Sequence, residues 1–168
     1  DLFYAMSHGV NRATLKKGKI DDRITFLNKL TNKLQNINYD FYGFKNKEPI
    51  WGNNFYQALV NSKMGLNLSR GLPTKYYSSN RIASLIGNGL LTFIDKKTQI
   101  DDFFNKNEII IYENIEDLSQ KIKFYKNNSK IRKKIASNGK KKYFKLFNEL
   151  KITKYIIDNS LGNNSNLY

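Results

Sequence analysis

Residues 64–95 read MGLNLSRGLPTKYYSSNRIASLIGNGLLTFID, and this stretch decides the fold. It opens with a short apolar run at 64–68 and closes with another at 90–94, each of a length typical of a strand. Between them, residues 80–86 carry apolar side chains at helical spacing behind Ser79, a residue type that commonly begins a helix. A strand, a crossover helix and a second strand predict a βαβ unit with parallel strands.

The same alternation continues on both sides of this unit. Further strands are predicted at 2–6, 38–44 and 108–112, and further helices at 20–34, 53–62 and 115–125. Short apolar strands that alternate with helices predict an α/β domain, namely a doubly wound parallel sheet with helices on both faces. In such sheets a ligand binds beyond the carboxyl ends of the strands, so the loops after Met6, Phe44, Leu68 and Ile94 are the informative ones.

The C-terminal part has a different composition. We predict one domain over residues 1–158, with a long basic helix at 129–150, and a frayed tail at 159–168. The chain opens at Asp1 with a strand-like run, so we expect it to continue upstream into a further domain.

Composition excludes several classes of site. The 168 residues contain no cysteine and one histidine, which excludes disulfides, thiolate zinc sites and clusters of histidine ligands. No apolar run reaches the roughly 18 to 20 residues that span a bilayer. The adjacent acidic pairs Asp21-Asp22 and Asp101-Asp102 have the character of helix N-terminal charges, and we predict no metal site.

The formal net charge is +15, and the excess is concentrated near the C-terminus. Within residues 121–157 the acidic side chain is Glu149, against thirteen basic ones. A basic surface of this kind attracts polyanions or the anionic face of a membrane. Lysine, asparagine and isoleucine are abundant throughout, so a general compositional drift explains the charge equally, and the helix is then simply solvated.

The loop after the first strand is the first candidate site. Its Arg12 and Lys17 can close on two neighbouring phosphates, and Gly9 allows the backbone to approach a ligand. His8 lies in the same loop and is a further candidate. A diphosphate fits this arrangement, while a solvated basic loop is the alternative.

The second candidate is the start of the helix at 80–86. Free N–H groups at Ser79, Asn80 and Arg81, together with the positive end of the helix dipole, can bind an anion. Ser69 and Arg70 follow the preceding strand and add polar groups. An ordinary N-cap without a ligand is the alternative.

Aromatic residues near the strand ends form a third group. Trp51, Phe44 and Tyr76 can form an apolar wall for a nucleobase, and Gly43 ends the second strand beside them. In a small α/β domain the same residues also fit a core.

The element order and these loops resemble the C-terminal, donor-binding domain of GT-B glycosyltransferases, in the group-1 branch that includes spore-maturation-like enzymes. The resemblance covers Leu2 to Asp158 and implies a single Rossmann-like GT-B half-domain. In that family an arginine, a lysine and a glycine after the first strand hold the donor diphosphate, and Arg12, Lys17 and Gly18 match their spacing. The helix start at 79–81 also matches.

One departure from the family concerns its paired glutamates. Many relatives grip the nucleotide ribose with the second of two glutamates, and those positions here hold Tyr76 and Ser84. Ser84 is therefore a donor-site candidate by position alone. The family often takes its catalytic base from the acceptor domain, so we assign no catalytic residue in this chain.

The resemblance implies an enzyme that moves a sugar from a nucleoside diphosphate to a glycan, lipid or protein acceptor in cell-surface glycan synthesis. We expect it to act in the cytoplasm, with peripheral contact to the inner membrane face, and without a metal or another cofactor. Two alternatives remain. One is a basic nucleic-acid-binding module, although no nucleic-acid motif is present and we expect no such partner. The other is an inactive donor-like scaffold, which the missing glutamates favour.

Overall fold

The computed structural model describes residues 1–7, 22–163 and 165–166, which form a parallel sheet covered by helices. Its strands are β1 (Leu2–Ala5), β2 (Tyr39–Tyr42), β3 (Met64–Asn67), β4 (Leu91–Asp95) and β5 (Ile110–Tyr112). Its α-helices are α1 (Asp22–Lys33), α2 (Gly52–Val60), α3 (Asn80–Gly87), α4 (Ile115–Asn127), α5 (Ser129–Leu146) and α6 (Glu149–Ser160). The predicted α/β fold is confirmed.

Strand order locates the point where a ligand site is expected. The order is β2-β1-β3-β4-β5, and each neighbouring pair runs parallel. The chain passes from β1 to β2 on one side and then returns to add β3 on the other side of β1. The direction of winding therefore reverses between β1 and β3, and the carboxyl ends of these two strands flank the switch point.

Alternation along the strands divides the core into layers on the two faces of the sheet. On one face, Tyr4 packs with Leu27 of α1 and Leu118 of α4. On the other, Phe3 packs with Leu59 of α2 and Leu85 of α3. Successive side chains of a strand point to opposite faces, which explains why Phe3 and Tyr4 belong to different layers.

A glycine allows α5 to approach the sheet closely. A Cβ atom at Gly139 would lie 2.2 Å from the backbone oxygen of Glu108, just before β5. Any side chain here would push α5 away from the sheet. This contact fixes α5 against the edge at which the strands begin, opposite to the carboxyl edge.

The prediction of one long basic helix over 129–150 is wrong. The helix ends at Leu146, and a separate helix, α6, begins at Glu149 and continues to Ser160, into the predicted tail. The cause is Asn148, whose side-chain oxygen accepts a hydrogen bond from the backbone N–H of Lys151 at 2.9 Å. That bond caps α6, and asparagine is favoured at this position.

Part of the basic excess has a structural role. Arg132 is buried, and its Nη1 donates to the backbone oxygens of Tyr125 at 2.7 Å and Lys126 at 3.0 Å. These carbonyls lie in the last turn of α4, where a cation also opposes the negative end of the helix dipole. Not every cation in this region is therefore available to a partner.

We predict that Gly139→Ala lowers the free energy of unfolding by about 1–3 kcal/mol, because the added methyl group overpacks against the Glu108 carbonyl. The matched control is Gly87→Ala, where no atom lies within 4 Å of the added Cβ. The control should be neutral or stabilising by at most about 1 kcal/mol through helix propensity. Urea unfolding measures both, and equal effects of the two substitutions would contradict the close approach of α5.

Candidate functional site

The ends of β1, β3 and β4 meet at the carboxyl edge, close to the switch point. β3 leads into Leu68 and Ser69, β4 ends at Asp95, and β1 ends beside Met6. Gly43 follows β2 with φ +77, and a Cβ there would lie 2.1 Å from the backbone oxygen of Met6. Glycine is required at this position because the turn after β2 presses directly on the end of β1.

Arg81 ties the two strands of the switch point together. It lies in the first turn of α3, and its Nε donates to the backbone oxygen of Ala5 at 3.2 Å. Its Nη1 donates to the backbone oxygen of Leu68 at 2.9 Å. The planar guanidinium thus bonds the ends of β1 and β3 at the same time, which a lysine ammonium cannot do with the same geometry.

Tyr4 contacts both Arg81 and Leu68. Its ring lies 5.0 Å from the guanidinium carbon of Arg81, and its hydroxyl donates to the Leu68 oxygen at 3.0 Å. Burial lowers the pKa of Arg81, and the nearby Arg23 lowers it further, whereas Tyr4 and Tyr77 oppose this change. An arginine stays charged in a protein, so the switch point has positive potential.

Arg23 places a second guanidinium at the same edge. It lies in the first turn of α1, is buried, and donates from Nη2 to the backbone oxygen of Ser7 at 3.4 Å. Sequence reasoning did not single out Arg23 as a site residue. The sequence gives no local signal for this role, because the proximity of Arg23 to Arg81 depends on the packing of α1 beside β1.

The N-terminus of α3 points into this region without a side-chain cap. Ser79 occupies the N-cap position with extended backbone, yet its hydroxyl makes no bond to the helix. Instead, its Oγ lies 3.3 Å from Oδ1 of the buried Asn67, at the end of β3. The Ile82 N–H bonds to the Ser79 oxygen at 2.9 Å, whereas the N–H groups of Asn80 and Arg81 have no acceptor among the described residues. Free N–H groups of this kind allow a helix N-terminus to bind an anion.

A cleft of about 130 Å³ opens beside this helix start. We call it the β3–β5 cleft because residues at the ends of β3, β4 and β5 line it together with the start of α1. Its lining residues are Asp22, Arg23, Phe26, Asn67, Leu68, Ser69, Gly71, Pro73, Asp95, Thr98 and Tyr112.

Comparison with known proteins identifies the family. The family model described as "Glycosyl transferase-like" matches residues 22–153, more than three quarters of the chain. The chain belongs to the glycosyl transferase-like family. No curated protein and no solved structure gives a match. In the described part of the chain no helix is long and apolar enough to cross a membrane.

Several donor-site residues predicted for this glycosyl transferase-like chain lie outside the described residues. These are His8, Gly9, Arg12 and Lys17, all in the segment that joins β1 to α1. Their assignment to a diphosphate site stays a prediction. Ser79, Asn80, Arg81 and Ser69 are described, and the structure brings them to the carboxyl edge.

The predicted aromatic residues have three different environments. Phe44 is only 3% exposed and packs in the core, so its ring does not form a surface wall. Trp51 is 67% exposed at the start of α2. Tyr76 packs edge-on against Phe103, and its hydroxyl donates to Asp102 Oδ2 at 2.6 Å.

The remaining predicted residues have local roles. Ser84 donates its hydroxyl to the backbone oxygen of Asn80 at 2.9 Å, within α3. Arg70 is exposed in the turn after β3. Within residues 1–7, 22–163 and 165–166, no cluster of histidine, aspartate or glutamate side chains has the geometry to hold a metal ion.

We predict that Arg81→Lys lowers the free energy of unfolding by about 1–3 kcal/mol, because a lysine cannot make both charge-assisted bonds across the switch point. The control is Lys134→Arg, the reverse exchange at an exposed side chain, which should alter stability by less than about 0.5 kcal/mol. Urea unfolding with circular dichroism measures both. If the two variants are equally stable, Arg81 does not hold β1 to β3.

Proposed function

We propose that this chain is the donor-binding domain of a two-domain GT-B glycosyltransferase, with its acceptor domain outside these residues. The observation that carries the proposal is the N-terminus of α3 at the switch point, where the N–H groups of Asn80 and Arg81 have no acceptor among the described residues. The guanidinium groups of Arg81 and Arg23 lie beside it. A helix N-terminus and cations at the switch point of a parallel sheet suit a phosphorylated ligand. Family membership indicates that this ligand is a sugar donor.

The proposed donor is a nucleoside diphosphate sugar. β1 ends at the carboxyl edge, where α3 begins, and Arg12 and Lys17 follow β1 in the sequence. In the proposal these two side chains bind the diphosphate together with the first-turn N–H groups of Asn80 and Arg81. The acidic side chains Asp22 and Asp95 face the neighbouring cleft.

In the proposed reaction the protein stabilises the leaving group. As the glycosidic bond breaks, negative charge develops on the departing diphosphate, and preorganised cations and N–H groups lower the energy of that state. The chain's own cations stabilise the departing diphosphate, so the proposed reaction needs no metal and no other cofactor. The acceptor is a glycan, lipid or protein, and the catalytic base comes from the acceptor domain.

Two competing functions make different predictions. A nucleic-acid-binding module would bind any strand with steep salt dependence and would not prefer diphosphates. An inactive scaffold would bind no donor. A thermal-shift panel of UDP, GDP, ADP and CMP, each with and without its attached sugar, distinguishes these functions from donor binding. A ligand that binds the folded state raises the melting temperature of the protein.

We predict that Arg12→Ala and Lys17→Ala each weaken nucleoside diphosphate binding by roughly 1–3 kcal/mol, since each removes a charge-assisted bond to phosphate. Binding of the monophosphate should suffer less, and the fold should be unchanged. Calorimetry on the single and double variants measures this.

The matched control for the double variant is Lys133→Ala with Lys140→Ala, which removes the same charge beside a cleft at the opposite edge of the sheet. It should leave diphosphate affinity unchanged. If both double variants lose affinity equally, net charge alone attracts the nucleotide. If the Arg12 and Lys17 double variant binds as tightly as the parent, the diphosphate clamp does not exist.

We further propose that α6 holds the enzyme at the inner, anionic face of the membrane, near a lipid-linked acceptor, while the protein otherwise lies in the cytoplasm. α6 buries none of its residues, and Leu150, Ile157 and Leu161 recur at a spacing that places them on one side. Lys151 and Lys154 lie in the same helix. Exposed apolar groups beside lysines are typical of interfacial helices.

We predict that Leu150→Ser with Ile157→Ser reduces co-sedimentation with anionic vesicles, because less apolar surface enters the lipid interface. Leu72→Ser is the control, since Leu72 is exposed at the carboxyl edge and far along the chain from α6. Parent protein should sediment with anionic vesicles and remain in solution with neutral ones. Equal sedimentation with both kinds of vesicle would contradict the proposal that α6 binds an anionic membrane.

A further inference from the structure

One buried polar group in the described part of the chain has no hydrogen-bond partner. It is the hydroxyl of Tyr112, at the end of β5, whose side chain is only 1% exposed. Burial raises the pKa of Tyr112, as does the carboxylate of Asp95, so this hydroxyl stays protonated and can donate. A buried hydroxyl without a partner is costly in free energy, so its persistence points to a ligand that supplies the bond.

Tyr112 lines the β3–β5 cleft, and the other polar groups there offer both donors and acceptors. Asp95 accepts a hydrogen bond from the Lys97 N–H at one carboxylate oxygen, Oδ1. Asn67 uses its Oδ1 with Ser79, and no described residue bonds its Nδ2. A phenol, an amide N–H₂ and a carboxylate together suit a group that both donates and accepts, as sugar hydroxyls do.

The charges and size of the cleft favour the sugar over the other parts of a nucleotide sugar. Two carboxylates, Asp22 and Asp95, line the cleft beside one guanidinium, that of Arg23, so the lining carries a net negative charge that disfavours a phosphate. The volume of about 130 Å³ is close to the roughly 150 Å³ of a cavity that accommodates benzene, so the cleft matches one six-membered ring in size.

Asn67 connects this cleft to the proposed phosphate site. Its side chain lines the cleft and also contacts Ser79, the N-cap of α3. A ligand whose diphosphate lies at the start of α3 therefore has its next group beside Asn67, at the mouth of the cleft.

We infer that the β3–β5 cleft binds the hydroxyl groups of the donor's sugar ring, with Tyr112 and Asp95 as residues that determine sugar specificity. The inference rests on the proposed function, because it needs the diphosphate at the start of α3. In this arrangement Tyr112 donates to a sugar hydroxyl, and Asp95 accepts from a neighbouring one. Tyr112 has no partner for its hydroxyl among the described residues, and the sugar supplies one.

The test uses Tyr112→Phe in the full chain, which keeps the ring and removes the hydroxyl. Calorimetry compares UDP-glucose, GDP-mannose and ADP-glucose with UDP, GDP and ADP. For the nucleotide that binds, affinity for the sugar nucleotide should fall roughly three- to tenfold, and affinity for the free diphosphate should not change. The melting temperature without ligand should rise by about 2–4 °C, because an unsatisfied buried group is removed.

Tyr125→Phe is the matched control, since Tyr125 is a half-buried tyrosine of α4 outside the cleft, and it should change neither affinity. A second variant, Asp95→Asn, retains an acceptor for Lys97 and should also weaken the sugar nucleotide alone.

Four results would overturn the inference. Unchanged sugar-nucleotide affinity in Tyr112→Phe, or an equal loss for the free diphosphate, would show that the cleft does not hold the sugar, while the proposed function would stand. A fall in melting temperature would show that the hydroxyl has a partner in the free protein. If no diphosphate binds the parent chain, the proposed function fails and the inference fails with it.

Discussion

The guanidinium of Arg81 lies between the carbonyls of Ala5 and Leu68, where the chain continues from β1 toward β2 on one side and from β3 toward β4 on the other. Where the ladder between two parallel strands ends, their next carbonyls have no partner, and a carbonyl away from water needs a donor. A planar cation with several N–H groups meets that need for both strands at once. Because Arg81 belongs to the first turn of α3, the same contact fixes the start of that helix over the sheet. The position of this helix start also determines the shape of the β3–β5 cleft beside it.

One edge of the sheet carries structural contacts, and the other edge carries the candidate site. At the edge where strands begin, Gly139 and Arg132 hold α5 against the sheet and close the end of α4. At the carboxyl edge, the cations, the exposed helix start and an unsatisfied hydroxyl collect around one cleft. The net charge of +15 therefore has no single explanation, because some cations cap helices, some surround the proposed phosphate site and others lie on the surface of α5 and α6.

The fold was predictable because its signals are local. Strand length, helical spacing and Gly89, which ends the turn after α3 with φ +77, all lie within short stretches of sequence. The break before α6 was missed, although Asn148 is a residue type that caps helices, because the basic run continues across it. The site was only partly predictable. Ser79 to Arg81 could be recognised as a helix start, but the bonds of Arg81 and the isolation of the Tyr112 hydroxyl depend on which strands become neighbours.

The account requires a nucleoside diphosphate to bind at the carboxyl edge, beside the switch point. Amide NMR spectra of the ¹⁵N-labelled chain, recorded during titration with the diphosphate that most raises its melting temperature, locate the binding site directly. The account predicts that the largest shifts occur at Ser69, Asn80 and Arg81, with little change at Lys63, Gly89 and Lys133 on the opposite edge. Shifts concentrated at Lys63, Gly89 and Lys133, with the start of α3 unaffected, would contradict it.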